Sequence, residues 1–133
     1  MPPKILIVDD EPHMLRVTEL SLKKGGYSLV LGRNGREAIE LARREKPALI
    51  IMDVLMPEMD GLTALRQLKQ DEQVISIPVI MLTARGHVLT RQEAETCGAA
   101  VFLTKPFSPT QLLSEARRFV APPPPPTTPG SPA

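Results

Sequence analysis

Cysteine and aromatic residues are scarce in this chain, and each shortage excludes a class of protein. Cys97 is the single cysteine among 133 residues, so the chain can form neither an intramolecular disulfide nor a multi-thiolate metal site. Three phenylalanines, one tyrosine and no tryptophan are too few for a stacking platform that binds single-stranded nucleic acid. We therefore expect a protein of a reducing compartment, the cytoplasm.

Strong charge of one sign and long apolar runs are also lacking. The formal net charge is +1, which gives neither a basic footprint for nucleic acid nor an acidic tail. No apolar stretch approaches the roughly 20 residues of a membrane span, and the N-terminus runs directly into a strand-like segment without a signal-peptide pattern. The composition predicts one globular domain with no membrane association and no direct nucleic-acid binding.

Four short apolar runs each lead into residues suited to phosphate or metal chemistry. Residues 5–8 precede Asp9 and Asp10, residues 49–52 precede Asp53, residues 79–82 precede Thr83, and residues 101–104 precede Lys105. Runs of this length are typical of strands buried on both faces of a parallel sheet. The ligand site of such a sheet lies beyond the carboxyl ends of its strands. The pattern therefore predicts one cleft containing three carboxylates, a hydroxyl and an ammonium group.

The apolar runs alternate with amphipathic segments, as in repeated βα units. We predict strands at about 4–8, 28–32, 49–53, 79–83 and 101–104. We predict helices near 12–24, 35–45, 61–70, 88–97 and 109–119. Pro12 suits a first helical position and Gly25-Gly26 a helix stop, while Asn34 and Ser108 suit helix caps. Five strands and five helices indicate a doubly wound α/β fold.

Two apolar stripes at helical spacing are expected to face the core. On the first predicted helix the stripe is Met14 or Leu15, Val17, Leu20 and Ser21. On the second it is Ala38, Ile39, Leu41 and Ala42.

Residues 121–133 differ in composition from the rest of the chain. They hold seven of the fifteen prolines, five of them consecutive, and no charged residue. Such a segment favours polyproline II and cannot build a core. We expect a domain of residues 1–120 followed by a disordered tail or the start of a linker, with a docking site for a proline-reading partner as the alternative.

The predicted cleft needs a cation. Asp9, Asp10 and Asp53 repel one another and stay ionised only beside positive charge. Mg²⁺ suits a site with few direct carboxylates and several waters. The spacing fits neither an EF-hand loop nor a zinc site, and we interpret His13 and His87 as surface residues.

The remaining groups of the cleft suit phosphoryl chemistry. A plain ion pair with the carboxylates would explain Lys105 alone, but an ammonium beside a magnesium ion and a hydroxyl also forms a phosphoryl cradle. Asp53 stands alone at the end of a central strand, whereas Asp9 and Asp10 are paired and better placed to hold metal. We therefore predict that Asp53 accepts a phosphoryl group as an acyl phosphate.

Residues 4–119 resemble the response-regulator receiver domains of two-component signalling. The matching motifs are Ile5 to Glu11, Asp53 to Pro57 with Gly61, Thr83-Ala84, and Lys105-Pro106-Phe107. The resemblance implies a flavodoxin-like, chemotaxis-regulator-like fold with strand order 2-1-3-4-5 and five helices.

The resemblance also implies a role for each site residue. Asp53 would be the phosphoacceptor, supplied by a sensor histidine kinase or a histidine phosphotransfer protein. Asp10, Asp53 and the Leu55 main-chain carbonyl would ligate Mg²⁺, with Asp9 acting mostly through water. Lys105 would pair with the phosphoryl group.

Signalling would pass through the fourth and fifth strands. Thr83 would bind the phosphoryl group and move toward it, and the rotamer of Phe102 would follow, although simple core packing also explains this aromatic residue. The face that responds would comprise the fourth predicted helix, the fifth strand and the fifth helix, which also suits a homodimer or a downstream effector protein. Gly61 would allow a close approach or an unusual backbone angle.

Two alternatives remain. The chain could be a receiver that only docks on partners, or a magnesium-dependent aspartyl phosphohydrolase. Against the latter, Leu55 stands where such an enzyme would carry its second acid. We accordingly do not expect an enzyme beyond catalysis of its own phosphorylation and dephosphorylation.

Overall fold

Five short parallel strands form one sheet in the computed structural model, which describes residues 3–54, 56, 59–83, 98–105 and 107–120. The strands are β1 (Lys4–Val8), β2 (Ser28–Gly32), β3 (Leu49–Asp53), β4 (Val79–Thr83) and β5 (Val101–Thr104). Their order is β2-β1-β3-β4-β5, with every pair parallel. The predicted strand bounds and the flavodoxin-like order are confirmed.

Four helices lie within the described residues. They are α1 (Pro12–Lys24), α2 (Gly35–Glu45), α3 (Gly61–Leu68) and α4 (Pro109–Phe119), the last corresponding to the fifth predicted helix. The helix predicted at 88–97 lies outside the described residues, and α3 ends two residues before the predicted bound. None of the described helices has the length and apolar character that a membrane crossing requires.

Helix ends follow local chemistry. The Asn34 and Ser108 side chains accept hydrogen bonds from backbone N–H groups of the first turns of α2 and α4, as predicted. Asp60 caps α3 in the same way, accepting from the N–H of Thr63 at 2.8 Å. These acceptors satisfy backbone donors that a helix leaves unpaired at its N-terminus.

The sheet divides the core into two layers, because successive strand side chains point to opposite faces. On β3, Ile50 and Met52 pack with the inner faces of α2 and α3. Leu49 and Ile51 pack on the other face with α1 and α4. All four side chains are fully buried, which explains why the strand sequence is an unbroken apolar run.

The stripe predicted for α1 was wrong, apart from its alternative Leu15. The helix buries Leu15, Thr18 and Leu22, while Val17 and Leu20 are 38% and 48% exposed. The buried positions are spaced by three and four residues, so the helix is amphipathic but rotated relative to the expected face. On α2 the predicted stripe is confirmed for Ala38, Ile39 and Ala42, which are buried, and Leu41 is partly buried.

A side-chain hydrogen bond joins the residue before β2 to the residue after α4. The buried Tyr27 hydroxyl donates to the main-chain carbonyl of Val120 at 2.6 Å. Burial raises the pKa of Tyr27, with a smaller opposing effect from the Arg117 charge. The neutral phenol is therefore the form that the fold favours.

We expect Tyr27→Phe to lower the free energy of unfolding by about 1–2 kcal/mol, because it leaves the Val120 carbonyl without its buried donor. Urea denaturation at pH 7 measures this. Ser21→Ala is the control, since the Ser21 hydroxyl donates to Val17 in a solvent-facing bond, and its loss should cost less than about 0.5 kcal/mol.

The stability of the wild type and that of Tyr27→Phe should also depend differently on pH. A phenol whose pKa is raised by folding stabilises the fold fully below its unfolded value of about 10, and that stability is lost as the pH rises above it. The wild type should therefore lose more stability than Tyr27→Phe between about pH 9 and pH 11, the range around the phenol pKa. An equal loss of stability in the two proteins over this range would contradict a raised pKa for Tyr27.

Candidate functional site

The carboxyl ends of the central strands bring the predicted site residues to one edge of the sheet. β1 and β3 are neighbours, with Val8 opposite Met52, so Asp9, Asp10 and Asp53 follow at adjacent strand ends. On the other side, Thr83 at the end of β4 lies opposite Thr104 at the end of β5. Parallel register therefore assembles the cleft from residues distant in sequence.

Three carboxylates converge in this cleft. One oxygen from each of Asp9, Asp10 and Asp53 lies within 4.8 Å of the others. Asp9 and Asp53 are buried, at 2% and 7% exposed, whereas Asp10 is exposed to solvent. The donor set fits a hard divalent cation such as Mg²⁺, because all the donors are carboxylate oxygens and the exposed side leaves space for coordinated water. Leu55, the predicted carbonyl ligand, lies outside the described residues.

Lys105 bridges two of these carboxylates. Its Nζ lies 3.1 Å from Oδ2 of Asp53 and 3.3 Å from Oδ2 of Asp9. Its side chain is only 20% exposed. One ammonium thus contacts two of the three acidic groups of the cleft.

Opposing effects act on the pKa of Lys105. Burial is the largest effect and by itself lowers the lysine pKa, but the Asp9 charge and the hydrogen bond to Asp53 raise it, and the net pKa is raised. Ion pairing therefore outweighs desolvation, which keeps the ammonium protonated at neutral pH.

Asp9 is fixed at both oxygens. Its Oδ1 accepts a hydrogen bond from the backbone N–H of Glu11 at 3.0 Å, and its Oδ2 faces Lys105. Glu11 immediately precedes α1, so this carboxylate joins the end of β1 to the start of the helix. Asp9 is therefore held in place, whereas the exposed Asp10 has no such bond among the described residues.

Thr83 lies beside the lysine. Its carbonyl accepts the Lys105 N–H at 2.7 Å. Thr83 is only 6% exposed. Its hydroxyl donates toward the Leu103 carbonyl and the Thr104 hydroxyl, each at 3.4 Å. Thr83 thus contacts the end of β5 through both its backbone and its side chain.

Phe102 lies two residues from the end of β5, opposite Met81. Its half-buried ring packs against the core layer that α2 and α3 cover. Residues two apart on a strand share a face, so Phe102 and Thr104 lie on one side of β5, beside Met81 and Thr83 of β4.

Gly61 touches the strand that carries Asp53. A Cβ at this position would overlap the main-chain carbonyl oxygen of Asp53. The Gly61 N–H also donates to the Val54 carbonyl at 2.8 Å. Of the two predicted reasons for this glycine, close approach is the one that the structure supports.

Thr104 is a site residue that the sequence does not point to. It is the last residue of the fourth apolar run, yet its hydroxyl lies 3.4 Å from that of Thr83. Aligning the ends of the fourth and fifth predicted strands would have paired the two threonines, since each is the last residue of its strand.

Comparisons with known proteins agree with this geometry. The family model described as the response regulator receiver domain matches residues 5–117. The alkaline phosphatase synthesis transcriptional regulatory protein PhoP of Bacillus subtilis is 38% identical over 109 residues, which are 82% of this chain and 45% of that protein. The chain spans about half the length of the curated relatives it matches.

Solved structures show the same fold. Chemotaxis response regulator CheY4 of Vibrio cholerae has a TM-score of 0.82 and 32% identity, covering 90% of this chain and 100% of that one. The receiver domain of the sensor histidine kinase PA1611 from Pseudomonas aeruginosa has a TM-score of 0.82 and 31% identity, covering 90% of this chain and 98% of that one. In that structure a magnesium ion is coordinated in the active site cleft.

We expect Gly61→Ala to destabilise the protein by about 1–3 kcal/mol, because the new methyl group displaces the backbone of Asp53. Gly32→Ala is the matched control, since the nearest atom to its Cβ would be the flexible Leu41 side-chain end at 3.2 Å. Urea denaturation compares the two buried positions, and equal losses would contradict the close-approach argument.

Asp9→Asn should lower the pKa of Lys105, because it removes a negative charge that raises this pKa. Asp10→Asn should lower it less, since the Lys105 ammonium pairs with Asp9 at 3.3 Å and, within the described part of the chain, makes no ion pair with Asp10. Titration of the lysine Cε resonance by NMR, without divalent cations, measures both. A larger effect from Asp10→Asn would overturn this ranking.

Proposed function

Because the chain belongs to the response regulator receiver domain family, we propose that it receives a phosphoryl group on Asp53 and changes the surface around β5 in response. The contact of one ammonium with both Asp9 and Asp53 carries this proposal. It places positive charge beside the carboxylate that would become an acyl phosphate, where a phosphoryl oxygen would need it.

Asp53 is the best nucleophile of the three carboxylates. Asp9 has its two oxygens bonded to Glu11 and Lys105, which suits a fixed supporting role. Asp10 is exposed, so its carboxylate suits direct coordination of a metal ion that also binds waters. Asp53 ends the central strand β3, where the rigid sheet holds its carboxylate for in-line attack.

The transfer would need no general base. A carboxylate oxygen of Asp53 forms a bond to phosphorus while the bond from phosphorus to the donor breaks. With a phosphohistidine donor, the imidazole nitrogen leaves and takes up a proton from solvent. Lys105 neutralises charge on the transferred group, and the resulting acyl phosphate is later hydrolysed by water.

Asp10, Asp53 and the Leu55 carbonyl would hold Mg²⁺ directly, and Asp9 mostly through water. The bound ion would neutralise charge on the phosphoryl oxygens. This proposal is supported by the 4.8 Å clustering of the three carboxylates, since like charges this close together favour the binding of a cation.

Thr83 and Phe102 are proposed to carry the response. The Thr83 hydroxyl would turn toward a phosphoryl oxygen, because charge-assisted hydrogen bonds are stronger than neutral ones. Phe102, on the same side of β5 as Thr104, would then change its rotamer. The surface of β5 and α4 would change with it, together with residues 88–97.

The donor would be a sensor histidine kinase or a histidine phosphotransfer protein, and the output would pass to an effector or to a second copy of the chain. Residues 1–120 would form the receiver. Residues 121–133 would serve as a linker or tail.

Intact-mass spectrometry after incubation with acetyl phosphate and Mg²⁺ tests the proposal. The wild type should gain one phosphoryl mass, and it should gain none when EDTA removes the cation. Asp53→Asn should remain unmodified. Asp60→Asn is the matched control because Asp60 lies outside the carboxylate cluster and asparagine also caps a helix, so it should react like the wild type.

Modification of Asp53→Asn to the wild-type extent would disprove the acceptor assignment. A wild type that binds Mg²⁺ but gains no mass would instead favour a receiver that acts by docking alone.

A further inference from the structure

Thr83 has a polar neighbour that the proposed phosphorylation does not use. Thr104 lies directly opposite Thr83 in the β4–β5 register. Its hydroxyl is 3.4 Å from that of Thr83. Thr104 is exposed, whereas Thr83 is buried.

The backbone fixes these two residues against each other. Thr83 accepts the Lys105 N–H through its carbonyl at 2.7 Å, and its hydroxyl points toward the Leu103 carbonyl. Thr104 lies between these two contacts. Its Cα is therefore held beside Thr83, and its hydroxyl stays within reach without further support.

The hydrogen bonds of the Thr83 hydroxyl are weak. Both are 3.4 Å long, whereas O–H···O bonds are usually about 2.5–3.0 Å. A hydroxyl has one proton to donate, so the two acceptors share it. Two long, shared bonds satisfy a buried hydroxyl while leaving it easy to release.

We propose that Thr104 is a positioning residue that holds the Thr83 hydroxyl toward β5 in the unphosphorylated state. This inference rests on the proposed phosphorylation of Asp53. The Thr104 hydroxyl competes with the phosphoryl oxygens for the same proton donor, and it sets how readily Thr83 leaves β5.

Exposure makes Thr104 suited to this role. When Thr83 turns away, water can replace it at the exposed Thr104 hydroxyl, so that this hydroxyl is not left unpaired. A buried partner would oppose the same movement much more strongly. The Thr104 hydroxyl thus orients the Thr83 hydroxyl toward β5 but binds it only weakly.

Thr104→Val tests the hold, because it replaces the hydroxyl with a methyl group at an exposed strand position that valine tolerates. Thr104→Ser is the rescue variant, since it keeps the hydroxyl. Two measurements are made on the wild type and on each variant. The first is the χ1 rotamer population of Thr83, from three-bond scalar couplings, without Mg²⁺ or phosphoryl donor. The second is the apparent Kd for beryllofluoride, a phosphoryl mimic, with Mg²⁺ present.

In Thr104→Val, Thr83 should populate a second rotamer, and beryllofluoride should bind about two- to threefold more tightly, the lower end of what one hydrogen bond contributes. Thr104→Ser should match the wild type in both measurements. Thr83→Ala should abolish the difference between threonine and valine at 104, because the coupling passes through the Thr83 hydroxyl.

Unchanged rotamers and affinity in Thr104→Val would overturn the inference, as would a Thr104→Ser variant that behaves like valine. A difference that persists in the Thr83→Ala background would also overturn it. The rotamer measurement uses no phosphoryl group, so it tests the contact between Thr104 and Thr83 independently of the proposed phosphorylation. A wild type that binds no beryllofluoride would count against the proposed function and not against this contact.

Discussion

The ion pairs of Lys105 are the interaction on which the rest of the site depends. The lysine follows β5, yet its ammonium reaches carboxylates at the ends of β1 and β3, so that its side chain passes the end of the intervening β4. It therefore joins the ends of three strands that are not all neighbours. Its raised pKa shows that attraction to the carboxylates exceeds the cost of partial burial.

Asp10 belongs to the same carboxylate cluster but lies outside these two ion pairs. Asp9 and Asp53 are buried, whereas Asp10 is exposed. Three carboxylates clustered this closely favour the binding of a cation, because like charges oppose one another's ionisation. The exposed position of Asp10 would give such a cation a route from solvent and space for its water ligands.

Much of the fold and of the site follows from sequence because it depends on local and periodic features. Buried parallel strands read as apolar runs, and the rule that ligands lie beyond their carboxyl ends brought Asp9, Asp53 and Lys105 together. The orientation of α1 did not follow, because it depends on how the helix packs against α4 and the sheet; Thr18 is buried there although it is polar. Thr104 was missed because its importance depends on strand register.

The bond from Tyr27 to Val120 also has a consequence for the geometry of anything attached beyond the domain. Helix ends usually fray, which makes the origin of a following segment diffuse. Here the main-chain carbonyl of Val120, the residue after α4, accepts a hydrogen bond from Tyr27, the residue before β2, so the end of the domain has a fixed position. A segment attached at a fixed point explores a smaller volume than one attached to a frayed helix end, and its reach depends only on its own stiffness.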